Sequence, residues 1–293
     1  MNKVFVFFIS ALLTGALMVP SAGSAKGAWK DATVKVGDLK IHYIEAGAGN
    51  RHLVFIPGLM MIAEVWQEQI PYFAARGFHV IAYDPRSQGL TTRTEGGNTY
   101  QQHAADLHAF LKALKIEDPI LVGWSAGVVT ILEYLSSSEA LIPEKLVLVD
   151  GAPTGYKDAD YPGGMTYQQA RTATLSMQED REKTADAFVR GMFKSRQPEI
   201  IYTDLIKGYL KTPAGAGTAL FFDLFTGDRR STLLRIQAPT LIVVPDERRL
   251  MGEYLQSKIS GSKLEVIEDA GHALFLEKPQ AFNQALESFL TQP

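Results

Sequence analysis

The sequence predicts an α/β fold: a mainly parallel sheet flanked by helices, with a helical insertion between two of its strands. Three observations carry this expectation. Short apolar runs alternate with stretches of helical periodicity, the pattern of βαβ units. The segment from Ala152 to about Arg235 breaks that rhythm; it has helical stretches rich in Tyr, Phe, Met and Gly but no strand pattern. One apolar run ends in Leu121-Val122-Gly123-Trp124-Ser125-Ala126-Gly127, a serine held between two glycines and followed by a helical stretch.

In chain order, Thr33–Val36 and Leu39–Ile44 read as strands around Gly37-Asp38, a hairpin turn signal. His52–Ile56 is a short apolar run that stops at Pro57-Gly58. Ala63–Ala75 reads as one helix ending before Gly77, and Val80–Tyr83 as the next strand. Tyr100–Lys115 places Ala104, Leu107, Leu111 and Leu114 at helical spacing. Pro119–Gly123 is a strand, and the serine then leads into a helix reaching about Ser136. Lys145–Asp150, Thr240–Val244 and Leu264–Ile267 are further strands, and Pro279–Leu290 is the last helix.

The chain has 293 residues, 46% hydrophobic and 21% charged, with a formal net charge of -3. That is an ordinary globular composition, long enough for a sizeable core. No basic stripe or run of like charges favours nucleic acid or an anionic membrane as partner. At the N-terminus, Lys3 precedes the uncharged apolar stretch Val4–Val19, and Gly23-Ser24-Ala25 supplies small residues for cleavage. This is the layout of a secretory signal peptide cut after Ala25, and it implies a secreted or periplasmic protein without stable membrane insertion. The apolar stretch is short for a span, which needs about 20 residues. The chain has no cysteine, so it forms no disulfide, which is compatible with an oxidising compartment.

The serine between glycines has a chemical reading. A serine hydroxyl is a weak nucleophile until a base takes its proton, and it must stand clear of its own backbone to attack. A tight strand-to-helix turn presents it so, and such a turn needs small residues on either side. Gly123 and Gly127 supply them, giving G-x-S-x-G in its required strand-turn-helix setting.

Four pieces then resemble the α/β-hydrolase superfamily in kind and in chain order: Phe55-Ile56-Pro57-Gly58-Leu59, Tyr83-Asp84-Pro85-Arg86-Ser87-Gln88-Gly89, the Gly-Trp-Ser-Ala-Gly turn, and Glu268-Asp269-Ala270-Gly271-His272. The resemblance implies an eight-stranded, mostly parallel sheet with a cap after the sixth strand. The domain expectation follows: residues 1–25 a signal peptide, 26–151 and 236–293 the core, 152–235 the helical cap. It implies a late histidine as base. Of the six histidines, His42, His52 and His79 sit in or beside strands. His103 and His108, five apart on one helix, share no face. His272, in a loop between the last strand and the last helix, has the position of the base. No clustered ligands suggest a metal, and the chemistry needs no cofactor. The oxyanion donors implied are the backbone amides of Ala126 and Leu59, the latter following Pro57-Gly58 where the family usually has His-Gly.

The acid is not settled by the residues. The family most often places it after the seventh strand, where this chain has Arg248, which accepts no hydrogen bond. Two carboxylates remain. Asp150 ends the sixth strand beside the serine strand; Asp246 lies two residues before Arg248 and would need a loop rearrangement. Asp150 is the preferred expectation and Asp246 the alternative. Asp84 and Asp106 read as structural.

The function implied is a serine hydrolase acting on a small-molecule ester or lactone with an apolar moiety, since the cap segment is rich in aromatic residues and methionine. Two alternatives stand beside it. The same residues would serve carbon–carbon bond hydrolysis or perhydrolysis, or the fold would serve ligand binding with impaired catalysis.

Overall fold

The computed structural model describes residues 29–161 and 163–292, so the expected signal peptide lies outside the described residues. Eight strands form one sheet: β1 Lys30–Val36, β2 Leu39–Ala46, β3 Arg51–Ile56, β4 Phe78–Tyr83, β5 Pro119–Trp124, β6 Lys145–Val149, β7 Thr240–Pro245 and β8 Lys263–Ile267. Their order across the sheet is β1-β2-β4-β3-β5-β6-β7-β8. The β1–β2 and β2–β4 pairs are antiparallel, and every other pair is parallel.

The helices are α1 Ile70–Ala74, α2 Tyr100–Ala113, α3 Ala126–Ser136, α4 Tyr167–Glu179, α5 Arg181–Arg190, α6 Glu199–Lys211, α7 Ala214–Thr226, α8 Arg230–Leu233, α9 Arg249–Lys258, α10 Leu274–Glu277 and α11 Pro279–Leu290. They depart from the sequence expectation in three places: Ala63–Ala75, α9 and the one-turn α10, of which the last two are not predicted. Ala63–Ala75 is not one helix: a 3-10 turn over Ala63–Trp66 is followed by α1, with Pro71 in the first turn of α1. Proline lacks the N–H a continuous helix would need there and is accepted only in a first turn. The helix α9 between β7 and β8 had not been read from the sequence.

Each face of the sheet carries its own core, and the two-residue period of the strands divides the side chains between them. Val122 and Trp124 of β5, Val149 of β6 and Val243 of β7 pack on one face. Leu121, Leu148 and Ile242 pack on the other. β5, β6 and β7 are buried at every position, as strands covered on both faces must be.

Parallel pairing puts the carboxyl ends of β3, β5, β6, β7 and β8 on one edge of the sheet. The chain leaves β3 toward β4 on one side and returns to β5 on the other, so the strand order reverses between β3 and β5. That switch point leaves a crevice at the strand ends.

Between β6 and β7 the chain forms α4 to α8, with two isolated bridges, Thr154–Asp228 and Tyr156–Met165. This helical segment lies over the segment that follows β3. A Cβ added at Gly208 of α6 would stand 3.0 Å from Ile62, and one at Gly217 of α7 would stand 2.6 Å from Met60 Sδ. Arg229, only 4% exposed, ties the segment to the sheet's helices. Its guanidinium donates to Glu133 of α3 at 2.7 Å and to Asp223 of α7 at 2.8 Å. Asp223 also accepts the Tyr100 N–H at the start of α2, at 2.6 Å. Such a buried pair is a weak source of net stability, but it fixes where the helices meet.

Gly127 gives a sharp test of the packing. Alanine in a helix is ordinarily about 1 kcal/mol better than glycine. Here the added Cβ would lie 2.4 Å from the carbonyl oxygen of Ile56, a backbone atom that cannot move aside cheaply. Gly127→Ala is expected to destabilise the protein by about 2 kcal/mol, in the range for overpacking a close contact. The urea unfolding midpoint measures this, and a raised midpoint would refute it.

Candidate active site

The strand β5 ends in Trp124, and the chain turns sharply into α3. Ser125 sits on that turn with φ 55° and ψ -117°, a left-handed backbone costly for a residue with a side chain. The turn persists because its surroundings leave no alternative. The Ser125 N–H donates to Val149 O at 2.9 Å. A Cβ at Gly123 would be 2.7 Å from the Gly127 backbone, so the strand and the first turn of α3 touch without side chains between them. Pro119–Trp124 and Ala126–Leu132 are all buried, and Ser125 is the one partly exposed residue in that run.

Asp150 follows β6 directly and also has positive φ, 41°. Its N–H donates to Val243 O of β7 at 2.8 Å. The parallel register pairs Trp124 with Val149, so Ser125 and Asp150 leave adjacent strands at the same level. The Asp150 side chain is 0% exposed, and its Oδ2 lies 2.5 Å from His272 Nδ1. With Nδ1 committed to the carboxylate, Nε2 is the imidazole nitrogen left for proton transfer. Among the described residues, Ser125 makes no side-chain hydrogen bond to His272; catalytic contacts of this kind often tighten only with substrate present.

Three contacts hold the His272 loop. The Trp124 indole N–H donates to His272 O at 2.9 Å, and the two rings lie 5.1 Å apart. The Ala273 N–H donates to Met192 O, in the segment between α5 and α6, at 2.9 Å. Glu277, at the end of α10, joins both sides. It accepts from Gly271 N at 2.8 Å, Lys194 N at 3.1 Å, Ser195 N at 2.7 Å, and the Ser195 hydroxyl. Burial works to raise the Glu277 carboxyl, but these hydrogen bonds outweigh it and hold the group below its ordinary value of 4.5. Sequence reading missed both anchors. Trp124 and His272 are 148 positions apart, and Ser195 and Glu277 are 82 apart. No local pattern marks such pairs.

The other carboxylate and the arginine are placed differently. Asp246 Oδ2 accepts from Lys194 Nζ at 2.8 Å, and that bond holds the Asp246 carboxyl below its usual range. It has no hydrogen bond to His272. Arg248 directs Nε toward Asp150 Oδ1 at 3.8 Å. Tyr161, 2% exposed, is the phenol of this corner. Burial lifts it to about 12, with Arg248 acting against the rise and Asp150 with it, so it stays a neutral phenol.

On the β3 side of the crevice, the segment Gly58–Ile62 approaches the serine. A Cβ at Gly58 would stand 3.2 Å from Ser125 Cβ. Met60 holds φ 57°, and Met61 N closes a turn on Gly58 O at 3.1 Å. Among the described residues, the N–H groups of Leu59 and Ala126 have no backbone acceptor outside regular elements. Ala126 is the first residue of α3, whose N–H lacks an intrahelical partner by construction. Met60 and Met61, which follow Leu59, are buried, 2% and 1% exposed.

The remaining histidines lie elsewhere. His42 Nδ1 meets Asp84 Oδ2 at 2.8 Å, in a buried pair whose carboxylate also accepts from the Ala63 and Leu90 amides at 2.7 and 2.8 Å. Asp84 thus anchors the turn after β4. Asp106 makes a two-bond pair with Arg86 at 2.7 and 2.8 Å. Burial depresses His103 to about 4, so it stays neutral. His52 and His79 meet each other through Nδ1 at 3.1 Å on the opposite ends of their strands. No group of three metal-ligating side chains forms among the described residues. None of their helices is long and apolar enough to cross a membrane.

Known proteins agree with this architecture. A model of the alpha/beta hydrolase family matches residues 53–285. The chain is similar to 3-oxoadipate enol-lactonase 2 of Acinetobacter baylyi, 30% identical over 269 residues covering 88% of this chain and 96% of that protein. It is also similar to a putative non-heme chloroperoxidase of Synechocystis, 29% identical over 263 residues covering 86% and 95%. Among solved structures, a bromoperoxidase from Bacillus anthracis superposes with a TM-score of 0.85 at 26% identity, covering 90% of this chain and all of that one. Fold, strand order, serine turn and family match agree: the chain belongs to the alpha/beta hydrolase family and is a hydrolase.

Proposed function

We propose that this protein hydrolyses carboxylic esters or lactones with an apolar moiety, using Ser125 as nucleophile, His272 as general base and acid, and Asp150 as the triad acid. The observation that carries the reading is the 2.5 Å contact between His272 Nδ1 and the fully buried Asp150 carboxylate, one strand from the strained serine turn.

Ser125 Oγ attacks the acyl carbon while His272 Nε2 takes the hydroxyl proton. Asp150 accepts the Nδ1–H and stabilises the imidazolium. The carbonyl oxygen, now an anion, receives the Leu59 and Ala126 N–H groups. Such donors contribute most when aimed at charge that forms only in the transition state. When the intermediate collapses, Nε2 returns its proton to the leaving alkoxide. In an ester the alcohol departs; in a lactone it stays tethered to the acyl group. Water then gives a proton to Nε2 and attacks the acyl-serine; as the acid departs, Nε2 passes that proton to Ser125 Oγ and the free enzyme is restored. The apolar preference is supported by the cap, whose Met177, Met192, Tyr209 and Phe221 share one buried cluster with Leu59 and Ala126. Glu277 positions the histidine by holding the cap segment and the His272 loop together.

A second reading is favoured by the peroxidase names of a relative and of a solved structure. Hydrogen peroxide in place of water would convert the same acyl-enzyme to a peracid. Product analysis with and without peroxide separates the two. We also propose that residues 1–25 direct export, with the mature chain beginning at Lys26.

A fluorophosphonate probe tests the nucleophile by intact mass: one adduct on the native protein and none on Ser125→Ala. Asp150→Asn should slow labelling and ester turnover about 10³–10⁴-fold, because the imidazole loses its orientation, while Asp246→Asn changes them less than about threefold. The reverse ranking would overturn the acid assignment. Glu277→Ala should lower kcat on 4-nitrophenyl butyrate roughly 10–100-fold, as small misplacements of a catalytic group do. The depressed Glu277 carboxyl also links stability to pH. Its contribution is complete above about 4.5 and is lost as pH falls below that value. Wild type and Glu277→Gln should therefore converge in unfolding midpoint on acidification, and midpoints that stay equally far apart would contradict this. N-terminal sequencing of the exported protein should begin at Lys26; a chain retaining Val4–Val19 would refute processing.

A further inference from the structure

The triad reading uses one oxygen of a fully buried carboxylate and leaves the other unaccounted for. Asp150 Oδ1 is buried and has no hydrogen-bond partner among the described residues. A bare carboxylate oxygen away from water is costly unless a positive charge faces it. Arg248 supplies that charge: its Nε is 3.8 Å from Oδ1, and its side chain is 49% exposed. The separation is too long for a hydrogen bond but lies within ion-pair range. The guanidinium reaches in from the N-terminal end of α9, opposite to His272.

We infer that Arg248 is a positioning residue that sets the pH at which the Asp150–His272 pair releases its proton and becomes a working base. The inference rests on the triad reading above. When His272 is neutral, Arg248 and Asp150 balance each other. When His272 is protonated, Asp150 attracts the new charge and Arg248 repels it. The cation therefore weakens the pair's hold on its proton. It keeps the buried carboxylate ionised and leaves Nε2 free to act at lower pH. The cost is weaker support for the imidazolium during the reaction. The proton belongs to the pair, not to either residue alone.

The other groups around the pair do not take this role. Trp124 carries no charge, and Tyr161 stays a neutral phenol. Lys194 is engaged by Asp246 at 2.8 Å and by Asp269 at 3.6 Å. Glu277 is held by the amides of Gly271, Lys194 and Ser195. Arg249, next to Arg248, is paired with Glu268 at 3.0 Å and provides a matched control.

The test is the rate of fluorophosphonate labelling of the full-length mature protein between pH 4 and 9. The series is wild type, Arg248→Lys, Arg248→Gln, Arg248→Glu and Arg249→Gln. Arg248→Gln should move the acidic limb upward by about half a unit to one unit, a modest shift because the guanidinium is half exposed and screened. Arg248→Glu should move it further in the same direction, and Arg248→Lys should restore it toward wild type. Arg249→Gln should leave it in place. A purely structural role for Arg248 would change the urea midpoint without moving the limb. Limbs of Arg248→Gln and Arg248→Glu that superpose on wild type, with Asp150→Asn still impaired, would overturn the inference and leave the triad reading standing. Full labelling of Asp150→Asn at every pH would overturn both.

Discussion

The candidate site depends on how closely the first turn of α3 lies against the ends of β3 and β5. Gly123 and Gly127 let backbone touch backbone there. Because the two elements cannot separate, Ser125 is held in a conformation it would not adopt alone. The same contact brings the segment after β3 to the serine. Strain at the serine is therefore sustained by the packing of a much larger region, which is how a costly backbone survives folding. Parallel pairing extends the effect, since the adjacent ends of β5 and β6 set Ser125 and Asp150 at one level.

His272 is located by different forces. It lies beyond the edge strand β8, in a loop with little regular structure of its own. Its position comes from a side chain on the serine strand, Trp124, and from Glu277, which accepts hydrogen bonds from both the loop and the cap segment. A carboxylate with several donors resists displacement, because each lost bond would leave a charged acceptor partly desolvated. The cap and the histidine are mechanically joined.

Charge around Asp150 follows from the same geometry. A carboxylate at the end of a central strand is sealed from water by the strands and helices about it. His272 meets one oxygen of Asp150, and Arg248 faces the other. Asp246 lies on the periphery and is paired with Lys194. Two aspartates close to one loop thus face different environments, one fully buried against His272 and one paired with Lys194.

The fold was legible in the sequence because its signals are local. Apolar runs, the Gly37-Asp38 turn and the glycines around Ser125 state their structure within a few residues. The strand set, the strand-free insertion and the serine turn could all be read that way. The break at Pro71 was equally local but was read through, and α9 went unread. Chain order singled out His272 and a strand end singled out Asp150, and the structure brings these two side chains together. What the sequence left open was which carboxylate meets His272, since a separation of 122 positions along the chain for Asp150 carries no trace of their contact. Register decided it: the alignment of β5, β6 and β7 delivers Asp150 inward and turns Asp246 toward Lys194. Arg248, read as an obstacle to an acid at that position, faces Asp150. Trp124, Glu277 and Arg248 owe their roles to contacts between distant segments. Such contacts exist only once the sheet is assembled, so periodicity and spacing carry no trace of them.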